Sequence, residues 1–264
     1  MADILQTIVA HKREEVARAK EYCSMQSLMA RLDGIDDGRR SLRKSLLESP
    51  TGIISEFKRK SPSKGWINRE ARPEVVTASY CVGGASACSI LTDSEFFGGS
   101  TDDVVAARPV VNVPILRKDF MIDEYQIVEA KCIGADVVLL IAAALTVEEC
   151  RQLAHTAHQL GLETILEVHG VAELDYLNDD IDVVGVNNRN LGSFVTSVEN
   201  SFRLADAIPS NCLKISESGI SDVATIRQLR SVGYRGFLIG ERFMKTDNPG
   251  AHLAQFVNEI NQCD

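Results

Sequence analysis

Short apolar runs recur along the chain at similar intervals, and amphipathic stretches of helical length separate them. Runs that are apolar on both faces are typical of strands buried in a parallel sheet, and the helical stretches between them would supply the crossovers. Eight runs are visible, which is the number of strands that closes a (β/α)8 barrel. They cover residues 52–57, 88–91, 114–116, 137–141, 164–168, 183–186, 213–215 and 237–239.

The amphipathic stretches predict helices with recognisable ends. Thr146 and Glu149 have the spacing of a capping box, and Gly134, Gly161 and Gly233 stand where three helices give way to strands. An open, doubly wound sheet is the alternative, but no G-x-G-x-x-G follows the first strand. The pattern therefore favours an α/β fold of the closed (β/α)8, or TIM, barrel type. The predicted helices cover residues 74–80, 124–132, 147–160, 171–177, 223–232 and 251–260.

The first 50 residues precede the barrel and repeat apolar residues at helical spacing. Ile4 and Ile8, like Leu5 and Val9, lie four positions apart, and charged residues fill the other face. No linker rich in Pro, Gly or Ser separates this segment from the rest. We therefore expect one domain over residues 1–264, with 1–50 as a helical extension packed on the barrel and 51–264 as the barrel proper.

Composition and charge narrow the classes of function. The chain has 264 residues, of which 45% are hydrophobic, and a formal net charge of −9. This charge disfavours electrostatic binding of nucleic acid or of an anionic membrane surface. The seven cysteines contain no C-x-x-C, which fits thiols in a reducing compartment. No signal-peptide core and no apolar run of membrane-spanning length is present, so we expect a cytoplasmic protein.

Charged residues stand where several predicted strands end, the place where (β/α)8 barrels carry their chemistry. Glu56 and Lys58 flank Phe57, so the two charged side chains share one face of the first strand. Glu167 closes a run otherwise suited to burial. Converging buried charges of this kind are costly unless they serve chemistry, so we predict an acid–base site. The other strand-end candidates are Arg117, Lys118, His169, Asn187, Arg189, Ser216, Glu217, Ser218, Gly240 and Glu241, of which Arg117 and Glu241, taken alone, are better interpreted as salt-bridged rim residues.

Three loops predict a binding site for a small phosphorylated molecule. Residues 56–72 carry six basic side chains against two acidic ones, although charge alone favours a solvated surface loop. Segments 216–220 and 238–241 place glycines where backbone N–H groups can approach an oxyanion. The loops after strands seven and eight are the usual phosphate position in this fold.

These motifs together resemble the indole-3-glycerol phosphate synthase family, a (β/α)8 family of tryptophan biosynthesis. The resemblance covers nearly the whole chain, and the Ser-Pro-Ser-Lys-Gly block (61–65) and the Leu-Arg-Lys-Asp-Phe block (116–120) are the most specific motifs. Two positions depart from the family pattern. Asn190 stands where Asp is usual, and Trp66 where an aliphatic residue is usual.

The resemblance implies ring closure, decarboxylation and dehydration of 1-(o-carboxyphenylamino)-1-deoxyribulose 5-phosphate, without a cofactor or metal. By this resemblance Lys118 would be the general acid at the substrate carbonyl, and we expect burial and a neighbouring cation to bring its pKa near the working pH. Glu167 would stabilise a cationic intermediate or shuttle protons, and Glu56 and Lys58 would serve the dehydration, with Lys58 also near the phosphate. The remaining assignments are Asn187, Arg189, Glu217 and Ser218 for orienting the substrate, Ser61, Gly219, Gly240 and Glu241 for framing the phosphate, and Phe97 and Leu116 for the apolar wall around the aromatic ring.

Other interpretations stay open at this point. A Schiff-base aldolase would also use a strand-end lysine such as Lys118. A phosphoribosyl isomerase, or a barrel that binds sugar phosphates without turnover, would share the glycine-rich loops. His155 and His158 have a spacing that could ligate a metal, but with no third ligand evident a solvated helix face is the better interpretation. We expect a monomer, and the sequence identifies no partner protein.

Overall fold

A closed barrel of eight parallel strands dominates the computed structural model, which describes residues 4–35, 38, 40–190, 192 and 194–262. Each barrel strand pairs with the next one in sequence, and the last strand pairs with the first. The (β/α)8 prediction is therefore confirmed. The strands are β1 (Ile53–Phe57), β2 (Ala87–Leu91), β3 (Ile115–Lys118), β4 (Val137–Ile141), β5 (Glu163–Val168), β6 (Val183–Asn187), β7 (Leu213–Glu217) and β8 (Tyr234–Ile239), and a small hairpin pairs Lys60–Ser61 with Gly65–Trp66.

Helices fill the connections, with two differences from the predicted pattern. Residues predicted as a helix at 171–177 form the 3-10 helix Val171–Tyr176, and the short helices Thr101–Ala107 and Glu199–Leu204 were not predicted because so few residues show little periodicity. The other α-helices are Ile4–Tyr22, Met25–Met29, Leu42–Glu48, Pro73–Val82, Glu124–Cys132, Val147–Gln159, Val223–Ser231, Glu241–Met244 and Pro249–Asn261, and the other 3-10 helices are Leu32–Gly34, Arg108–Val110 and Ala142–Ala144.

Several local signals in the sequence have their expected structural counterparts. The capping box of Thr146 and Glu149 starts the helix Val147–Gln159. Gly134, Gly161 and Gly233 all have positive φ. The six described cysteines are free thiols, and Cys263 lies outside the described residues. Among the described helices, none is long and apolar enough to cross a membrane.

The strands are apolar on both faces because each face packs against a different layer. Phe57 belongs to the layer between strands and helices, whereas Ile54 faces the barrel interior. Leu42 and Leu46 of the helix Leu42–Glu48 pack into the same interior layer. The interior is thus a filled core, which is the usual arrangement in this fold.

The helix Leu42–Glu48 closes the end of the barrel where the strands begin. Ser45 Oγ donates a hydrogen bond to the carbonyl oxygen of Ser86, just before β2, at 2.6 Å. The backbone N–H of Arg43 donates to Glu163 Oε2, at the start of β5, at 2.9 Å. These contacts hold the helix across the barrel interior at this end.

The first helix, Ile4–Tyr22, is attached to the opposite end of the barrel through a buried lysine. Lys12 is fully buried, and its Nζ lies 3.1 Å from Asp93 Oδ2, 2.9 Å from Asp119 Oδ1 and 2.9 Å from Glu15 Oε1. Burial alone lowers the pKa of a lysine, but the carboxylates of Asp119 and Asp93 outweigh it and raise the pKa of Lys12. The expected extension packed on the barrel is therefore held by ion pairs as well as by apolar contacts.

The two aspartates that bind Lys12 also organise the loops after β2 and β3. Asp93 Oδ1 accepts hydrogen bonds from the backbone N–H groups of Phe96, at 2.8 Å, and Phe97, at 3.3 Å. Asp119 Oδ1 accepts one from the N–H of Phe120, at 2.8 Å, and Asp119 directly follows Lys118. A helix far away in sequence is thus tied to the segments that carry predicted site residues.

Replacing Lys12 should destabilise the protein far more than replacing an exposed lysine. Lys12→Ala would leave two buried aspartates without their cation, and breaking a buried ion pair from one side costs about 3–5 kcal/mol. The measurement is the free energy of unfolding from urea titration followed by circular dichroism. Lys44→Ala is the control, because the Lys44 side chain is 72% exposed, and we expect a change within about 0.5 kcal/mol. Equal losses in the two variants would contradict the assigned role of Lys12.

Candidate active site

A cavity of about 520 Å³ opens where the barrel strands end. Polar residues from β1, β3, β5, β6 and β7 line it, together with the loops after β1, β7 and β8. All the predicted site residues except Leu116 contribute to this one lining. They are Glu56, Lys58, Ser61, Phe97, Lys118, Glu167, Asn187, Arg189, Glu217, Ser218, Gly219, Gly240 and Glu241.

Lys118 lies between two buried carboxylates at the centre of the cavity. Its Nζ is 3.4 Å from Glu167 Oε2 and 3.8 Å from Glu217 Oε2. β3 supplies the lysine, and β5 and β7 supply the carboxylates, so the barrel brings together residues that are far apart in sequence. Both carboxylates are almost completely buried.

The charges around Lys118 shift its pKa in the direction opposite to our expectation. Burial favours the neutral amine, but the carboxylates of Glu167, Glu217 and Glu56 outweigh it and raise the pKa of Lys118. The expected neighbouring cation is replaced by carboxylates, so the prediction of a pKa near the working pH is wrong. Burial likewise favours neutral Glu167, but Lys118 and His169 lower the pKa of this carboxyl. These two residues therefore form a charged pair.

Glu217 behaves differently from Glu167. Among the described residues, neither of its carboxylate oxygens has a hydrogen-bond partner. Burial, together with the negative charge of Glu167, raises the pKa of Glu217 to about 8. The site thus holds one ionised and one protonated carboxyl at neutral pH, the pattern that separates acid and base roles in many enzymes.

Glu56 and Lys58 form a second ion pair, on the interior face of β1 and just beyond its end. Lys58 Nζ lies 2.5 Å from Glu56 Oε1, and Phe57 between them points to the outer layer. The face-sharing predicted for these two residues is therefore confirmed. Glu56 fits because Gly240 opposite has no side chain, and a Cβ there would overlap Glu56 Oε1. Gly185 makes room for Glu217 Oε1 in the same way, a role that the sequence pattern did not reveal.

Polar groups beyond β6 connect the cavity rim to the loop after β1. Asn187 Oδ1 accepts a hydrogen bond from the backbone N–H of Arg189 at 3.0 Å. Arg189 Nη1 donates to Ser63 Oγ at 3.1 Å. Asn190, which departs from the family pattern, accepts from the N–H of Gly192 through Oδ1 at 3.0 Å and so shapes the turn that follows.

The loops after β7 and β8 form a cationic, glycine-rich end of the cavity. Ser218 and Gly219 have φ of 67° and 76°, and this left-handed conformation costs a serine roughly 1–2 kcal/mol. Such strain is typical of functional loops. Arg242 and Lys245 also line this end. Sequence reasoning missed both, although they closely follow Gly240 and a short helix starts directly after that glycine.

The opposite side of the cavity is apolar, but Leu116 does not belong to it. Leu116 is fully buried in the interior layer below Lys118 and is absent from the lining. Alternation along the strand predicts correctly that Leu116 faces the barrel interior. It does not determine how deep in the barrel the residue lies. Phe97 is in the lining, with its ring centroid 6.2 Å from that of Phe120. Other apolar lining residues on this side are Ile4, Leu5, Ile8, Leu91, Leu139 and Ile141.

Several further residues singled out in the sequence lie outside the lining. Arg117 is buried behind the barrel, where Nη2 lies 2.7 Å from Glu129 Oε2. His155 Nδ1 lies 3.2 Å from Asp180 and His158 Nε2 lies 2.8 Å from Asp182. Within the described ranges, no group of three or more His, Cys, Asp or Glu is arranged to hold a metal ion.

Trp66, the only tryptophan of the chain, packs on the loop after β2 rather than in the cavity. Lys60 Nζ lies 5.7 Å and Arg69 Cζ 5.0 Å from its ring centroid, distances suited to cation–π contact. Its ring also covers Gly98, where a Cβ would be too close. Trp66, which departs from the family pattern, therefore packs against the cationic loop on the side away from the cavity.

Solved structures with low sequence identity share the barrel. A structure of KGPDC from Streptococcus mutans has a TM-score of 0.63 at 12% identity, with 81% of this chain and 99% of that chain covered. The 3-hexulose-6-phosphate synthase from Salmonella typhimurium has a TM-score of 0.62 at 11% identity, with 81% and 100% covered. At such identities the likeness shows the fold alone.

Two sequence comparisons go further. The sequence model of a family described as indole-3-glycerol phosphate synthase matches residues 5–256. A curated protein of Bacteroides thetaiotaomicron, named indole-3-glycerol phosphate synthase, is 56% identical over 262 residues, which cover 98% of this chain and 100% of that protein. Because both matches span nearly the whole chain, the chain belongs to the indole-3-glycerol phosphate synthase family.

Proposed function

We propose that the chain catalyses the ring closure of 1-(o-carboxyphenylamino)-1-deoxyribulose 5-phosphate to indole-3-glycerol phosphate in tryptophan biosynthesis, with release of carbon dioxide and water. The observation that carries this proposal is the position of Lys118 between Glu167 and Glu217 in one cavity. Family membership supports it over the full length of the chain. The reaction needs an acid and a base at one reacting centre, and neither role requires a cofactor.

The two ends of the cavity match the two ends of this substrate. Ser61, Gly219, Gly240 and Glu241 would frame the phosphate, the last two through backbone N–H groups, and Arg242 and Lys245 would add positive charge. Phe97, with Phe120 and Leu91, would cover the aromatic ring, so that Leu116 has no place in the proposal. A substrate held at both ends is folded for attack, and such alignment is worth about 7–11 kcal/mol in favourable intramolecular cases.

Lys118 is the proposed acid for the carbon–carbon bond. As the aromatic carbon attacks the ketone, its oxygen becomes an alkoxide and needs a proton. The raised pKa of Lys118 keeps the ammonium protonated over the working pH range. An alkoxide is a stronger base than an amine, so the transfer remains downhill at that moment. The same ammonium would hold the substrate carboxylate before it leaves as carbon dioxide.

Glu167 would stabilise the cationic intermediate, because its lowered pKa keeps a negative charge beside the reacting centre. Glu56 and Lys58 would serve the dehydration, in which hydroxide leaves with a proton and a base removes another. Asn187, Arg189, Glu217 and Ser218 would orient the substrate hydroxyls. Glu217, with its pKa of about 8, would also be a protonated neighbour for the leaving hydroxyl at neutral pH.

The same electrostatics argue against the Schiff-base alternative. An aldolase lysine must be a neutral amine to attack a carbonyl. The raised pKa of Lys118 keeps this amine charged. We propose that the protein works as a monomer. Its free thiols agree with the proposed location in the cytoplasm.

The direct test is incubation with the carboxyphenylamino sugar phosphate while the absorbance and fluorescence of an indole product are followed. We expect product to form with no added metal, and to form equally after treatment with EDTA. Sodium borohydride should trap no adduct on the protein. Ligand binding without product, or a trapped adduct on Lys118, would contradict the proposal.

Replacing Lys118 or Glu167 by alanine should abolish turnover while the fold persists. Each change removes a group at the reacting centre, and the loss of kcat should be about 10²–10⁴-fold or larger. Steady-state kinetics and circular dichroism are the measurements. Glu148→Gln is the control, because the Glu148 side chain is 71% exposed on an outer helix. Near-native turnover in Lys118→Ala or Glu167→Ala would remove these role assignments.

Glu217→Gln should change how stability depends on pH. The pKa of Glu217 is raised from 4.5 to about 8, so between these values the folded state holds a proton that the unfolded state has lost. Stability of the natural protein therefore falls across this window, by about 1.4 kcal/mol per pH unit from this group. Glutamine does not titrate, so the variant should gain stability relative to the natural protein as pH rises. Urea titrations at pH 5, 6 and 7 measure this, and parallel curves would refute the assigned pKa.

A further inference from the structure

The proposed reaction consumes a proton that the substrate does not bring. If the substrate enters as a carboxylate, it leaves as neutral carbon dioxide, and the balanced reaction takes up one H⁺ for each water and carbon dioxide released. This inference rests on the proposed function. The carboxyl groups of Glu56, Glu167 and Glu217 are each at most 4% exposed. A substrate that fills the cavity would block the remaining access from that side, so the proton needs another route.

His169 lies behind Glu167 and outside the cavity lining. It follows Glu167 by two positions at the end of β5, and its Nε2 lies 3.6 Å from Glu167 Oε1. Its Nδ1 lies 3.7 Å from an oxygen of Glu173, which belongs to the 3-10 helix Val171–Tyr176. The backbone N–H of His169 donates to the same Glu173 oxygen at 2.5 Å, which holds the carboxylate beside the ring.

Both nitrogens of the imidazole face carboxylate oxygens at distances just beyond hydrogen-bond range. Among the described residues, neither ring nitrogen of His169 has a hydrogen-bond partner, although both are buried. The carboxylates of Glu167 and Glu173 face the ring, and Glu217 on β7 is the third titratable group near it. Burial lowers the pKa of His169, but these carboxylates outweigh it and raise the pKa above the ordinary value of 6.5. An imidazole can accept a proton on one nitrogen and donate one from the other, which suits it to proton transfer.

Exposure increases along the series from the site to the surface. The side chain of Glu167 is 3% exposed, that of His169 17% and that of Glu173 23%. A carboxylate, an imidazole and a second carboxylate thus lead from the reacting centre towards solvent. The contacts, at 3.6 and 3.7 Å, are slightly longer than hydrogen bonds.

We propose that Glu173 and His169 form a proton relay that, through Glu167, returns to Lys118 the proton that this residue gives up in each turnover. Glu173 passes a solvent proton to Nδ1 of the neutral ring, whose own hydrogen is on Nε2. The Nε2–H bond of the resulting imidazolium breaks as an O–H bond forms on Glu167. Glu167 then passes this proton to the amine of Lys118, 3.4 Å away, and is ionised again. The ring is left with its hydrogen on Nδ1 and returns to the Nε2–H form by proton exchange with solvent after the product leaves, and the electron pairs stay on the heavy atoms that release the proton. His169 acts through Glu167 and does not touch the substrate.

The test compares His169→Gln and Glu173→Gln with the natural enzyme in the turnover assay. Both variants keep polar groups at these positions, but the glutamine amide does not titrate and therefore cannot relay a proton. We expect kcat to fall by about 10-fold or more with KM unchanged, and the solvent deuterium isotope effect on kcat to rise because proton delivery becomes limiting. Added imidazole should restore turnover of His169→Gln in proportion to its concentration, which a purely structural role would not produce. His155→Gln is the control, because the His155 side chain is 61% exposed, and its kinetics should be unchanged.

The outcomes separate the relay from the function on which it rests. Turnover by the natural enzyme together with an undiminished kcat in His169→Gln would overturn the relay alone. A lowered kcat that imidazole does not rescue, with an unchanged isotope effect, would also overturn it and make His169 a packing residue. If the natural enzyme forms no indole product, the proposed function fails and the relay fails with it.

Discussion

The burial of three carboxyl groups beside two ammonium groups is the constraint that organises this molecule. Glu56 is compensated by Lys58 and Glu167 by Lys118, but within the described part of the chain Glu217 has no cation of its own at hydrogen-bond distance. Burying uncompensated charge is so unfavourable that a group retains its proton instead. The arrangement therefore fixes the protonation states of its members, and those states determine which steps of an acid–base reaction each residue can serve.

The scaffold can hold these charged groups close together because its strand ends converge and its glycines leave space for the side chains. Five strands bring the polar residues together, and two glycines, Gly185 and Gly240, leave the space that two of the carboxylates occupy. Below them the barrel is filled by apolar side chains and closed by the helix Leu42–Glu48. Above them Lys12 joins the first helix to the loops that flank Lys118. Stability and site geometry consequently depend on the same contacts.

The sequence predicted the architecture and most of the site for a clear physical reason. Burial on both faces and the regular spacing of the strands are local patterns, and a closed parallel barrel forces all strand ends to one mouth. Glu56 and Lys58 were placed correctly because alternation along a strand determines the face. Leu116 was misplaced because alternation does not tell how deep in the barrel a residue lies. The catalytic assignments themselves stay predictions.

Other properties of the site could not be predicted from local sequence patterns. The direction of the Lys118 pKa depends on Glu167 and Glu217, whose distances from it arise only on folding. The ion pair between Lys12 and Asp119 joins residues more than one hundred positions apart. Nothing near Lys12 in the sequence distinguishes it from the other lysines of the helix. Gly185 resembles any glycine in a strand until the carboxyl group opposite it is located.

The apolar residues Ile4, Leu5 and Ile8 have a consequence for the amino-terminal helix, since they form part of the cavity wall. A ligand that reaches this part of the wall contacts the helix. Ligand binding and attachment of the helix to the barrel are then linked equilibria. A ligand that binds only to the attached form strengthens the attachment by about 2.7 kcal/mol at a concentration one hundred times its Kd. Protection of the helix Ile4–Tyr22 from proteolysis would therefore rise with the concentration of a ligand that binds in the cavity.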